Sequence, residues 1–353
     1  MSVGEGAVGA VRFSLEFEGK TYPVPFRCWF AHRRRRFGKA VKHVVAWPFE
    51  WLGILTGIAV LSNLPYRAML GVCDFASFFY WLFDVGGRRL AARNLAVMFA
   101  GMELSEGRTR RVIRRSYRNM CRTIGYAFWT FRSARRRCAR AGELSPAAAD
   151  FLASHRPAVT VSAHLGCWEI LSQLAFAAGH QMMSVAKDIG TPGMTRMLMR
   201  SRRSIGQEIV PAAGAFKALM AGIRSGRSLG LLVDQVVTPA DGGTQVKFFG
   251  RDYFVSPAPA FFSAKSGAAV IVAWSRPLPD GRYRCELVEQ IDAAEARDLR
   301  GTTQRIAAAL ERMIRRHPSA WILNYDYFRR VMSADEEQAM KERVIRMLEG
   351  AAK

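Results

Sequence analysis

The sequence predicts an α/β fold: a single domain with a central mixed sheet flanked by helices, preceded by a membrane-associated helical segment. Three observations carry this. Short apolar runs at 158–163 (AVTVSA), 228–233 (SLGLLV) and 268–274 (AAVIVAW) have the length and branching of buried strands. Segments with apolar residues at helical spacing alternate with them, and no repeat or low-complexity linker divides residues 100–353. Finally, two apolar stretches near the N-terminus carry one charge each. The organisation expected is an arm and basic run over 1–45, a membrane-associated apolar hairpin over 46–90, and the α/β domain over 91–353.

The elements follow in order. Residues 11–17 alternate and are followed by Gly19-Lys20 and Tyr22-Pro-Val-Pro, a hairpin-like arm without the continuous apolar core of a secretory signal. His32 and the run Arg33–Arg36, with Lys39 and Lys42, come next. Residues 46–64 are 19 residues with only Glu50 charged, and residues 68–83 carry only Asp74. The first is just long enough to span a bilayer and the second is marginal, the plainer alternative being a pair of buried core helices. Six cations ahead of it place the N-terminus in the cytoplasm, and a hairpin keeps the domain there too. Between Arg108 and Arg140 lie twelve arginines and no acid, with Val112, Ile113, Tyr117, Met120, Cys121, Ile124 and Phe128 at helical spacing. That is a basic amphipathic helix suited to anionic headgroups or an acidic protein.

Ser145-Pro146 starts a helix as N-cap and first residue. A strand over 182–186, a helix over 192–205, an extended piece over 207–210 and a helix over 214–225 lead to the 228–233 strand. A loop with Pro239 and Gly242-Gly243 precedes residues 246–250. A helix over 257–267 is followed by the 268–274 strand and by residues 283–291, which alternate like an antiparallel edge strand. A helix over 302–316 stops at His317-Pro318, and residues 321–327 read as a last strand or extended piece. Ser333 and Glu336 form a capping box for a C-terminal helix.

Composition narrows the function. A chain that is 50% hydrophobic is ordered, and a net charge of +23 favours an anionic surface or an acidic partner. The six cysteines (Cys28, Cys73, Cys121, Cys138, Cys167 and Cys285) show no paired spacing, as expected for reduced thiols and no metal site. Aromatics interleave little with the arginine helix and no nucleic-acid module is present, so nucleic acid is not expected as a partner.

The chemistry concentrates where the 158–163 strand turns into a helix. His164 sits on that turn and Glu169 follows five residues later, which in a regular helix is about 500° of rotation, about 140° off one face. They meet only if His164 lies on the turn and Glu169 in the first helical turn. A carboxylate holding Nδ1–H would leave Nε2 free to take a proton from an alcohol, and the helix start would offer unpaired N–H groups near Gly166 and Cys167. The plainer alternative is a capping His164 and a solvated Glu169. Asp234-Gln235 closes the 228–233 strand, and ligands collect at such strand ends. Asp234 equally suits capping of the next turn. Arg202 and Arg203 suit bidentate phosphate binding, or a solvated helix face. Met182, Met183, Met194, Met197 and Met199 suit an acyl groove or core packing.

Leu64-Pro65-Tyr66, Arg93-Asn94-Leu95 with Phe99, His164-Leu-Gly-Cys-Trp-Glu169, Ser204-Ile-Gly206 with Pro211, Asp234-Gln235, Phe248-Phe249-Gly250, and His317-Pro318 with Trp321 occur in an order and at intervals that resemble the late lipid A acyltransferases. That family lies within the lysophospholipid acyltransferase superfamily, and the likeness runs from about Leu61 to Arg329. It implies a glycerolipid acyltransferase-like domain that moves a fatty acyl chain from acyl carrier protein to the hydroxyl of an anionic glycolipid. The site would be the cytoplasmic face of the bacterial inner membrane. It further implies a catalytic His164/Glu169 dyad, substrate contacts at Asp234, Gln235, Arg202, Arg203, Gly166 and Trp168, and no cofactor, metal or covalent acyl-enzyme. The alternatives are a related acyltransferase with another acceptor or a coenzyme A donor, and a non-catalytic basic membrane protein.

Overall fold

The computed structural model describes residues 13–17, 20–24, 51–102, 104–186, 192–204, 207–211 and 214–328. The chain divides into two units, Met1–Thr56 and Gly57–Lys353. In the first, β1 (Phe13–Phe17) and β2 (Lys20–Val24) form the antiparallel hairpin expected of the alternating arm. The basic run and the capping box at Ser333 lie outside the described residues.

Helix α1 (Trp51–Leu61) is short and apolar. In the second unit, α2 (Tyr66–Phe83) and α3 (Val85–Met98) meet at 90°. Among the described residues no single helix is long and apolar enough to cross a membrane. The arginine-rich stretch is two helices, α4 (Glu106–Thr130) and α5 (Ala134–Ala141), where one was expected. The break lets α5 bury Ala134, Cys138 and Ala141 against the body.

The sheet has seven strands in the order β3-β11-β10-β4-β7-β5-β6. They are β3 (Gly142–Leu144), β4 (Ala158–Ser162), β5 (Met182–Ala186), β6 (Glu208–Pro211), β7 (Ser228–Leu232), β10 (Ala269–Pro277) and β11 (Tyr283–Ile291). Five run parallel. β11 joins β10 antiparallel, and β3 pairs parallel with β11. The sheet is therefore mixed, as expected, but β11 is not the edge. The three-residue β3, with Glu143 at its centre, has no apolar run to announce it. A separate hairpin, β8 (Thr244–Phe248) and β9 (Arg251–Val255), carries Phe248, Tyr253 and Val255 into the core.

Helices α6 (Pro146–Ala153), α7 (Trp168–Ala177), α8 (Pro192–Ser204), α9 (Ala215–Arg224), α10 (Ala258–Ser266) and α11 (Leu299–Arg316) complete the fold. Ser145 caps α6 as its sequence position demands, its Oγ accepting from the Ala148 amide. Strands β4 and β10 bury most of their residues, whereas β7 buries Ser228 and Leu229 and exposes Leu232 at its end. That explains the continuous apolar sequence of β4 and β10. Residues 321–327, expected as a strand or extended piece, form a strap with an isolated bridge from Trp321 to Leu165. Both edges of β10 are already taken, so the strap bonds to helices: Asn94 Nδ2 reaches the carbonyls of Leu323 and Tyr325, and Ser116 Oγ donates to the Trp321 carbonyl.

Candidate active site

Neighbouring parallel strands β4 and β7 pair Val161 with Leu231 and Ser162 with Leu232. Continuing that register two residues past each strand brings His164 opposite Asp234. The contact is made twice. The His164 amide donates to Asp234 Oδ2 at 3.0 Å, and His164 Nδ1 lies 2.8 Å from Asp234 Oδ1. An ionised carboxylate only accepts, so Nδ1 carries the hydrogen and Nε2 is left as the basic nitrogen.

Asp234 has no exposed side-chain surface. Burying a carboxylate costs several kcal/mol unless donors surround it. Here Trp321 Nε1 donates to Oδ2 at 2.8 Å, and the Tyr327 hydroxyl stands 3.4 Å from the same oxygen. The two rings stack at 3.9 Å. Burial raises the pKa of Asp234, but the charge and hydrogen bonds of His164 and Trp321 prevail and hold it below the usual carboxylate value. For His164, burial pulls the pKa down, whereas Asp234, and more weakly Glu169, pull it up; the net direction is up.

Glu169 lies in the first turn of α7, as expected, but its carboxylate is not on His164. It is gripped bidentately by Arg202 of α8, with Nη2–Oε1 2.5 Å and Nε–Oε2 3.1 Å. Both side chains are largely buried. Burial lowers the Arg202 pKa, but Glu169 outweighs it and the guanidinium stays charged. The expected partnership of His164 with Glu169 is therefore replaced by two: His164 with Asp234, and Glu169 with Arg202. The register that creates the first pair requires β4 and β7 to be neighbours, which spacing along the chain cannot express.

The backbone around Gly166 also differs from expectation. The amides of Gly166 and Cys167 are not free: they donate to the Ala320 carbonyl at 2.9 Å and to Ser275 Oγ at 2.7 Å. The Gly166 carbonyl accepts from Asn119 and Thr123. Gly166 has φ +66°, and a Cβ there would lie 1.8 Å from the Ser275 carbonyl oxygen. Its role is to let the turn lie flat on β10. Among the described residues, the amides with no acceptor at this helix start are those of Trp168 and Glu169. The Trp168 ring meets the His164 ring edge to face at 5.1 Å. Gln235 is half-buried beside Asp234, and Arg203 is exposed.

Trp321, Tyr327, Ser275 and the α4 residues Ser116, Asn119 and Thr123 were not singled out as site residues. The α4 trio recurs at i, i+3 and i+7 on the face opposite the arginines, a polar row on an inward face. That spacing was the available signal.

A basic imidazole nitrogen oriented by a buried carboxylate, at the carboxyl ends of adjacent parallel strands of an α/β scaffold, is an arrangement suited to general-base chemistry. The sequence model of the bacterial lipid A biosynthesis acyltransferase family matches residues 34–330. The chain belongs to that family and is an acyltransferase of lipid A biosynthesis. No curated protein matches it.

Proposed function

We propose that the protein transfers a fatty acyl chain from acyl carrier protein to a hydroxyl of an anionic, lipid A-type glycolipid at the cytoplasmic face of the bacterial inner membrane. The observation that carries the mechanism is the 2.8 Å contact between His164 Nδ1 and the buried Asp234. His164 Nε2 removes the acceptor's hydroxyl proton as its oxygen attacks the thioester carbonyl. The resulting oxyanion needs donors, and the unpaired amides of Trp168 and Glu169 at the start of α7 supply them. Collapse expels the carrier thiolate, which takes the proton back from the imidazolium. The acyl group stays on the acceptor oxygen and the protein is restored.

The other candidate residues take binding roles. Arg202 fixes Glu169 beside His164, and the exposed Arg203, one residue on, meets an acceptor phosphate. Gln235 and Trp168 line the approach to His164. Exposed arginines of α4 and α5 steer the acidic carrier protein.

The test is turnover by purified protein against pH, with mass spectrometry of the lipid product. His164→Ala removes the base, with an expected loss of about 10²–10⁴-fold or more. The base works only when neutral, and its pKa is raised above 6.5. The rate therefore falls as pH drops through that raised value. Asp234→Asn removes the charge that lifts it, so the acid limb moves to lower pH while the maximal rate drops. A folded His164→Ala protein with full turnover would falsify the mechanism, and an unshifted limb in Asp234→Asn would remove Asp234 from it.

A further inference from the structure

Helix α2 has two apolar faces, and only one is used by the fold. Met69, Leu70, Cys73 and Ser77 are buried on the side that packs against α4. The opposite side exposes Val72 (43%), Phe75 (69%), Phe79 (40%) and Phe83 (75%), at i, i+3, i+7 and i+11. These rings form a continuous ridge, with Phe75 and Phe79 centroids 4.9 Å apart and Phe79 stacked on Phe83 at 6.4 Å. The acid of the helix, Asp74, is turned away from this ridge into a bidentate pair with Arg122, both contacts 2.6 Å.

The ridge meets a cationic surface through Phe78, whose ring centroid is 5.5 Å from that of Phe79, whereas the neighbouring Trp81 packs on the core. Arg88 and Arg110 lie over the Trp81 ring at 5.1 and 5.4 Å, and Arg114 lies over Phe78 at 5.4 Å. We infer that this face of α2 is a docking surface for an anionic lipid leaflet, with the helix lying in the interfacial plane rather than crossing it. Three facts fix the orientation. α2 is 18 residues, about 27 Å long, and one whole side is committed to α4. α3, which would continue a span, turns by 90° and buries Ala91, Ala92 and Asn94 to Met98 in the core. The cations sit beside the aromatic ridge, at the level where headgroups meet acyl chains. A second copy of the chain is a poor occupant, because two such faces would oppose their arginines within molecules of charge +23. Anionic lipid neutralises the same arginines.

This deepens the membrane part of the proposed function, but its test needs no turnover, so the two can fail separately. Binding of the full-length protein is measured to vesicles of phosphatidylglycerol with phosphatidylethanolamine and to neutral phosphatidylcholine vesicles. Phe75→Asp with Phe79→Asp should weaken partition to the anionic vesicles at least tenfold, whereas Val288→Asp, on exposed β11, should not. Arg110→Glu with Arg114→Glu should abolish the preference for anionic over neutral lipid. Depth is read directly by Phe79→benzoylphenylalanine and illumination. A lipid adduct supports the docking face. A protein–protein adduct assigns the face to a second copy and overturns the inference. So does the absence of any adduct on vesicle-bound protein, or wild-type binding by the double aspartate variant.

Discussion

At the scale of single residues, the Asp234 carboxylate is the junction of the site. It holds the His164 ring by Nδ1 and is itself held by Trp321. Trp321→Phe keeps a ring to stack on Tyr327 and deletes one donor. A hydrogen bond to a charged group contributes about 1.5–3 kcal/mol, so a rate loss of about 10–100-fold is expected. The loss of that donor leaves Asp234 more basic, which lifts His164 further and moves the acid limb of the rate profile to higher pH. A purely structural role would lower Tm and leave the limb in place. The same linkage acts on stability. His164 has a raised folded pKa, so its contribution is complete below the unfolded value of 6.5 and is lost as pH rises through the folded one. Denaturation midpoints against pH for the wild type and His164→Ala test that sign. His164 and Asp234 were both legible in the sequence as polar groups closing apolar runs. Their partnership was not, because nothing along the chain states which strands lie side by side.

At the scale of elements, helix α8 and strand β10 meet the 164–169 segment through groups that substitutions can separate. Arg202 is the buried anchor of α8, and Arg202→Ala leaves Glu169 buried without its partner. Breaking such a pair costs about 3–5 kcal/mol, and Arg202→Ala with Glu169→Ala should recover part of it, as measured by chemical denaturation. Gly166→Ala meets both a positive φ and the Ser275 carbonyl oxygen, so the turn must shift away from β10. Loss of activity and a clear drop in Tm are expected together, since the same turn aims His164. Strand positions were largely readable because β4, β7 and β10 lie inside the sheet, with both edges paired, and read as continuous apolar runs. The strap over 321–327 was readable only as a strand or an extended piece, and for a definite reason it is the second. Its apolar and aromatic residues are buried as a strand's would be, yet its backbone is paid in side-chain hydrogen bonds from Asn94 and Ser116. The pair of helices α4 and α5 was misread as one because neither a proline nor an acid falls between Arg108 and Arg140 to mark the turn at 131–133.

At the scale of the whole molecule, the excess positive charge is spread over different directions of α4. Arg114 and Arg115 are about 100° apart around the helix axis. Arg110 and Arg114 flank the aromatic ridge of α2, whereas Arg115 is exposed on another side and Arg118 lies between. Charge reversal at Arg115 or Arg118 should therefore slow capture of acyl carrier protein, with less effect on lipid binding. The apparent on-rate should fall steeply with added salt, because exposed charges are screened over about 8 Å at physiological ionic strength. Kinetics with acyl carrier protein and acyl-coenzyme A as donors, at fixed lipid and varied salt, measure this. Equal use of both donors, with no response to either reversal, would assign the arginines to lipid alone.

The strap that carries Trp321 and Tyr327 is tied to helices from the other end of the domain. Arg93 pairs with Asp326, Asn94 with the Leu323 and Tyr325 carbonyls, Ser116 with Trp321, and Asn324 with the Tyr80 hydroxyl. On a ribosome these helices emerge more than two hundred residues before their partners. The residues that clamp Asp234 thus come after the strands and helix that form the rest of the site, so a chain cut short before Trp321 would carry His164 and Asp234 without the Trp321 and Tyr327 donors.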